Sequence, residues 1–178
     1  PSTVTALDTA TYTATVLVGE STATGAAGTI AFGDKGSGTV ASGQATSPSV
    51  TWHVGFTEPQ QVDVVFTSSD SDYTDASTTI VVQVNPITTS MVLSADASGN
   101  VTATISCGNG DCTALTGSVQ FNNSGTGAPS KTGTVVAGTQ ASAVTSSAFG
   151  TGGRSVTATL TSTNSDFAGS SQLTPITF

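Results

Sequence analysis

The stretch Val62-Asp63-Val64-Val65-Phe66-Thr67-Ser68-Ser69-Asp70-Ser71-Asp72-Tyr73 has a counterpart later in the same chain, Val156-Thr157-Ala158-Thr159-Leu160-Thr161-Ser162-Thr163-Asn164-Ser165-Asp166-Phe167. In both, apolar residues fall at every second position, a Ser/Asn/Asp turn follows, and an aromatic residue closes the segment. Alternation with period two is the pattern of a strand with one buried face. Its recurrence makes the chain a duplicated β module.

Working outward, Tyr12-Thr13-Ala14-Thr15-Val16 precedes Gly28-Thr29-Ile30-Ala31-Phe32 as Val101-Thr102-Ala103-Thr104-Ile105 precedes Gly117-Ser118-Val119-Gln120-Phe121. The offset is 89 residues here and 94 in the opening pair. The second copy has therefore gained five residues, expected in or near the Gly-, Ser- and Pro-rich stretch from Asn122 to Gly133, where a loop accepts insertion. Buried faces are expected for Tyr12, Ala14, Val16 and Val18; for Val50, Trp52, Val54 and Phe56; for Val62, Val64 and Phe66; and for Ile80, Val82 and Val84. In the second copy they are Val101, Ala103, Ile105 and Cys107, then Val119 and Phe121, then Val156, Ala158 and Leu160. Short strands at this spacing, broken by Gly, Ser, Asn and Asp, imply a β-sandwich. The boundary falls at Asn85-Pro86-Ile87-Thr88, where proline stops sheet pairing; so short a linker implies a rod-like pair.

Composition agrees. Ser and Thr make up about a third of the 178 residues and charged residues 8%, a balance that favours strands and leaves no amphipathic helix. A net charge of -8 argues against nucleic acid as a partner, because phosphate binding needs a basic surface. No apolar run is long enough to span a bilayer, and no segment resembles a signal peptide; if the protein is secreted, its signal was removed or not included.

Two further stretches carry a family likeness. One is the Gly-x-Val-x-Phe-like strand, present as Gly28-Thr29-Ile30-Ala31-Phe32 and Gly117-Ser118-Val119-Gln120-Phe121. The other runs from Gly152-Gly153-Arg154-Ser155-Val156-Thr157-Ala158-Thr159-Leu160 to Ser165-Asp166-Phe167-Ala168-Gly169-Ser170. With these the chain resembles the bacterial Ig-like repeat domains found in tandem on secreted, cell-surface and phage structural proteins. Copy one departs from that pattern at Gly55-Phe56-Thr57-Glu58-Pro59. The resemblance implies an all-β protein of two tandem immunoglobulin-like β-sandwich domains, residues 1–86 and 87–178, with spacing, display or adhesion as the role.

Cys107 and Cys112 bracket Gly-Asn-Gly-Asp. A disulfide across this turn is worth about 2 kcal/mol by loop entropy and implies an oxidising compartment; free thiols are the alternative. Zinc would need more ligands than two sulfurs, and the only histidine, His53, lies in the other half. His53 is also the only candidate general base, but it is out of phase with the buried residues and so faces solvent or a neighbouring module. Asp70, Asp72 and Asp75 place alternating oxygens on one loop, a pattern that could hold calcium. The matching loop keeps only Asp166. The competing reading is an Asx-type turn in which Asp72 and Asp166 bond the local backbone while Tyr73 and Phe167 plug the sandwich end.

Trp52, the only tryptophan, is in phase with a buried face; on the surface it could stack on a sugar. Lys35 and Lys131 lie in Gly-rich sequence unsuited to isopeptide crosslinks. Asn100-Val101-Thr102 and Asn122-Asn123-Ser124 match the N-glycosylation pattern, and the many Ser and Thr residues leave O-glycosylation open. No cofactor is implied. These readings point to a non-catalytic structural module, a spacer or assembly subunit of an extracellular filament, a cell-surface protein or a virion, with protein partners or self-assembly. The alternative is an adhesin or carbohydrate-binding module that recognises a glycan or protein. An enzyme comes third.

Overall fold

Threonine, serine and valine in alternation leave the chain little choice but extended structure, and strands dominate the computed structural model, which describes residues 2–55, 59–123, 129–150 and 152–177, with the side chains of Arg154 and Thr177 excepted. The only helical element among them is a single 3-10 turn, Gly33–Lys35. The chain divides into two compact units, Pro1–Asn85 and Pro86–Phe178.

The first unit contains β1 (Ser2–Thr5), β2 (Thr9–Ala10), β3 (Thr13–Thr15), β4 (Leu17–Val18), β5 (Ser21–Thr22), β6 (Gly28–Phe32), β7 (Ser37–Thr39), β8 (Gln44–Thr46), β9 (Val50–Thr51), β10 (Gln60–Ser68) and β11 (Ala76–Asn85). Five strands form one sheet in the order β1-β11-β10-β6-β7, with β1 parallel to β11 and the other pairs antiparallel. The pairs β2-β9 and β3-β8 form a ladder interrupted where Pro48 cannot donate. There Ser47 fills in: its Oγ accepts from Tyr12 N at 2.9 Å and its N–H donates to Tyr12 O at 2.8 Å. Ile30, Phe32, Val62, Val64, Phe66, Val82 and Val84 are buried on the sheet's inner face.

The second unit contains β12 (Thr89–Ala95), β13 (Val101–Cys107), β14 (Gly117–Asn123), β15 (Lys131–Thr134), β16 (Ala141–Val144), β17 (Gly153–Ser162) and β18 (Ser170–Thr177). They form two sheets, β12-β13-β16 and β15-β14-β17-β18. The chain crosses from one sheet to the other after β13, β15 and β16. Val101, Ala103 and Ile105 of one sheet, and Val119, Phe121, Val156 and Ala158 of the other, are all fully buried.

Strand register relates the two units pair by pair. Ile30 opposes Gly38 and Phe66 as Val119 opposes Gly133 and Leu160; Ala14 opposes Ala45 as Ala103 opposes Ala143. These equivalences refine the expected insertion. The offset is 89 at Ile30/Val119, 95 at Gly38/Gly133, 98 at Ala45/Ala143 and 94 at Phe66/Leu160. The net gain of five residues thus combines two insertions with a later deletion, all outside the paired strands.

Gly28 and Gly117 open equivalent strands at φ +150 and +145, and a Cβ on either would lie 2.2 or 2.1 Å from the carbonyl oxygen of Thr67 or Thr161. Only glycine allows that approach of strand to strand, which gives the repeated Gly-x-Val-x-Phe strand its first residue.

Two expected faces differ in the structure. Val18 is 62% exposed, because β4 and β5 pair with each other in a projecting hairpin instead of continuing β3. The strand expected through Val50, Trp52, Val54 and Phe56 stops at Thr51; Trp52 turns its backbone to the Leu7–Asp8 turn, accepting from Leu7 N at 2.7 Å and donating to Asp8 O at 3.0 Å. Phe56, Glu58 and Ser124 lie outside the described residues.

Candidate functional site

Cys107 and Cys112 are joined in a disulfide, with Cα atoms 5.6 Å apart. The loop between them turns on Gly110, at φ +80, whose N–H bonds Cys107 O at 2.9 Å; Asn109 Oδ1 receives Asp111 N at 3.1 Å, and Asp111 Oδ1 receives Thr113 N at 2.9 Å. Cys112 is fully buried and begins a turn in which Leu115 N bonds its carbonyl at 3.0 Å. The first unit builds the same turn from Ala23 and Ala26, with Ala26 N bonding Ala23 O at 2.9 Å. The β4-β5 hairpin stands where the second unit has its crosslink. A disulfide fits a non-reducing environment. Among the described residues no helix is long and apolar enough to cross a membrane.

The acidic loop is a hydrogen-bonded turn whose central bonds recur in both units. Ser68 Oγ accepts from Asp70 N at 3.1 Å and donates to Asp70 O at 2.7 Å; Ser162 Oγ does the same with Asn164 at 3.1 and 2.7 Å. Asp70 Oδ1 then accepts from Asp72 N, and Asn164 Oδ1 from Asp166 N, both at 3.0 Å. The acceptor for the turn N–H is thus Asp70 or Asn164, two residues before the expected Asp72 and Asp166, because an Asx turn bonds the backbone two residues on. Asp75 Oδ1 holds Ser68 N at 2.8 Å. A neutral asparagine supplies in one unit the acceptor that Asp70 supplies in the other, so this bond requires an oxygen and not a charge; Asn164 Nδ2 also donates to Ala114 O at 3.0 Å. Among the described residues no three His, Cys, Asp or Glu side chains gather to hold a metal. Of the two aromatic plugs, Phe167 is buried and bridges Ile87, whereas Tyr73 is half-exposed.

Trp52 is 1% exposed, which removes it from any sugar-stacking surface. Tyr12 meets it edge-on, with ring centroids 5.7 Å apart, and Lys35 Nζ lies 5.0 Å above its ring while bonding Asp34 Oδ2 at 3.0 Å. Burial raises the Tyr12 pKa above the ordinary tyrosine value. In the second unit Lys131 Nζ lies 5.7 Å from the centroid of the buried Phe149 and bonds Ser147 Oγ at 2.7 Å. Each unit thus covers an aromatic residue that follows its equivalent of β8 with its single lysine, an arrangement worth about 0.5–1 kcal/mol. Spacing gives no hint of it, because the partners are 17 and 18 residues apart in sequence across a turn. His53 is exposed next to Trp52, and its carbonyl accepts from Gln60 Nε2 at 2.7 Å.

Asp96 organises the β12-β13 turn. Its Oδ1 accepts from Ser98 N and Asn100 N, both at 2.9 Å, and its Oδ2 from Asn100 Nδ2 at 2.8 Å. The Asn100 side-chain bond, followed by these backbone N–H bonds, holds the Asp96 carboxyl below the usual range. The candidate glycosylation residue Asn100 therefore uses its amide nitrogen in this turn.

Open cavities among the described residues of the first unit include one of about 410 Å³ bordered by Asp63, Val65 and Ser77–Thr79, and two others. One, of about 690 Å³, is bordered by Asp34, Lys35, Gly55 and the Pro59–Val62 segment. The other, of about 260 Å³, is bordered by Ala14–Leu17 at the end of β3, Ile30 of β6, Val64 and Phe66 of β10, and Ala76–Thr78 of β11. The second is uncharged throughout and reaches core residues of the five-stranded sheet.

No protein-family model and no curated protein matches this chain.

Proposed function

We propose that both units are immunoglobulin-like β-sandwiches of the bacterial Ig-like repeat kind, and that the chain is a non-catalytic spacer or assembly subunit of an extracellular filament, a cell-surface protein or a virion. The observation that carries this reading is the duplication itself. Register is kept through the strands equivalent to β3, β6, β7, β8 and β10, and the polar side chains of the repeated Ser68/Ser162 turn bond their own backbone in both units. Polar groups used in this way serve the scaffold. The sheet pairings of the second unit, with its first, second and fifth strands in one sheet and the third, fourth, sixth and seventh in the other, support the sandwich assignment. The disulfide supports display outside a reducing compartment.

Cross-linking mass spectrometry on the native source, followed by single-particle imaging, tests the role. The expected result is an ordered, repeating assembly with this chain at fixed spacing. A strictly monomeric chain carrying a small molecule in a cleft overturns it.

A further inference from the structure

The chain holds six asparagines, Asn85, Asn100, Asn109, Asn122, Asn123 and Asn164. An asparagine modifies itself when the backbone nitrogen of the next residue, stripped of its proton, reaches its Cγ and its own amide nitrogen is free to leave. The fold obstructs that reaction at every one of them except Asn109. Asn85 is followed by Pro86, whose nitrogen carries no proton. Asn100 Nδ2 donates to Asp96 Oδ2 at 2.8 Å, and the next nitrogen, Val101 N, donates to Thr145 Oγ1 at 3.1 Å in the core. Asn164 Nδ2 donates to Ala114 O at 3.0 Å. Asn122 and Asn123 lie in extended β14, paired with Thr157 and Val156 of β17, where the ladder holds the backbone that a ring would have to turn.

Asn109 stands between the crosslinked cysteines, and it is exposed together with Gly110 and Asp111. Among the described residues nothing holds its Nδ2. Its Oδ1 accepts from Asp111 N at 3.1 Å, and an N–H aimed at that oxygen stabilises the negative charge it gathers when Cγ is attacked. The attacking nitrogen belongs to a glycine at φ +80, beside which even a Cβ would meet nothing within 4 Å, so no side chain shields it. One bond opposes the reaction, from Gly110 N to Cys107 O at 2.9 Å, and it lies in a solvent-exposed turn.

We propose that Asn109 is a self-modification site, at which the crosslinked loop converts its own amide to a carboxylate. Gly110 N bonds Asn109 Cγ, the Cγ–Nδ2 bond breaks, and ammonia leaves with the proton that Gly110 N gave up. Water then opens the resulting cyclic imide at one of its two carbonyls. Opening at Cγ leaves aspartate at position 109; opening at the main-chain carbonyl leaves isoaspartate, with the backbone running through Cγ. One water is consumed and one ammonia released, and nothing is oxidised or reduced. Either product adds a negative charge beside Asp111 to a chain whose net charge is -8. Isoaspartate also lengthens the main chain inside the loop that the Cys107–Cys112 bond closes, and it takes from Asp111 N its acceptor.

The test incubates the full, disulfide-bonded chain in buffer and in denaturing urea, then reads each asparagine by peptide mass spectrometry with a fragmentation that separates aspartate from isoaspartate. In buffer, Asn109 is expected to convert about tenfold or more faster than Asn100 or Asn164, whose leaving nitrogens are hydrogen-bonded. Its rate is expected to rise about tenfold per pH unit near neutrality, since the deprotonated nitrogen is the nucleophile. In urea, Asn100 and Asn164 are expected to accelerate about tenfold as their bonds are lost, and Asn109 by less than about fivefold, the worth of its one opposing bond. No conversion at Asn109 in buffer overturns the proposal, as does a rate there no greater than at Asn100 or Asn164. Acceleration of Asn109 in urea by tenfold or more shows that the native turn locks the amide, and also overturns it.

Discussion

Reducing the Cys107–Cys112 disulfide should weaken the second unit and leave the first untouched. The bond closes a loop of six residues, and the loop-entropy relation gives about 7 cal/mol/K for that length, about 2.2 kcal/mol at 25 °C. The thiols remain in place after reduction, so neither a cavity nor a new polar group confuses the comparison. Amides that exchange only on opening of the second unit, in β13 and β17, should then exchange about 40 times faster. Amides of β10 serve as the internal control. The first unit builds the equivalent turn without a crosslink, from the β4-β5 hairpin and Ala23, so its rates should not move. Trp52, the only tryptophan and a core residue of the first unit, gives an independent reading in urea: its unfolding midpoint should be the same with and without reductant. Acceleration of less than about threefold in β13 and β17 would refute the reasoning, and so would equal acceleration in both units.

Three other outcomes follow from local geometry. Gly117→Ala should cost about 2–4 kcal/mol in urea denaturation, because the added Cβ meets the Thr161 carbonyl at 2.1 Å in a backbone conformation that L side chains avoid; Gly28→Ala should cost the first unit a similar amount, read by Trp52 fluorescence. Asn164→Asp keeps the acceptor for Asp166 N but loses the bond that Nδ2 donates to Ala114 O at 3.0 Å, so it should cost about 1 kcal/mol, and Asn164→Ala, which loses both bonds, should cost more, about 2 kcal/mol. The Asp96 carboxyl is held low by Asn100 and the turn N–H groups, so its contribution is complete above the unfolded carboxylate value near ~3.9 and is lost as pH falls through the lower folded value. NMR titration should place the Asp96 midpoint higher in Asn100→Ala than in the parent chain.

How much of this was legible in the sequence varied with the range of the interaction. Alternation located the buried faces of β10, β13, β14 and β17, because a strand's period of two is a local property. It misplaced Val18 and extended β9 too far, because both depend on pairing partners distant in sequence: the β4-β5 hairpin diverts one, and the Leu7–Asp8 turn captures the other. The Cys107–Cys112 pair was readable from spacing across a Gly-rich turn. The Asp70 turn was recognised as a turn, but the Asp70 and Asn164 acceptors and the lysine-covered aromatics were missed, since neither leaves a periodic trace.

Duplication within one chain supplies a comparison that a single domain lacks. Where residue identity changes and geometry stays, as at Asp70 and Asn164, the shared bond identifies a structural role and lowers the standing of calcium at that loop. Where identity and geometry both change, a property belongs to one unit alone. Two such places are the crosslinked loop of the second unit against the hairpin of the first, and the edge closed by β12 against the one between β3 and β11, which no strand among the described residues covers. The first difference alters stability without opening the core. The second leaves core side chains such as Ile30 and Phe66 at the wall of a cavity, where burial of apolar surface rewards any strand able to enter.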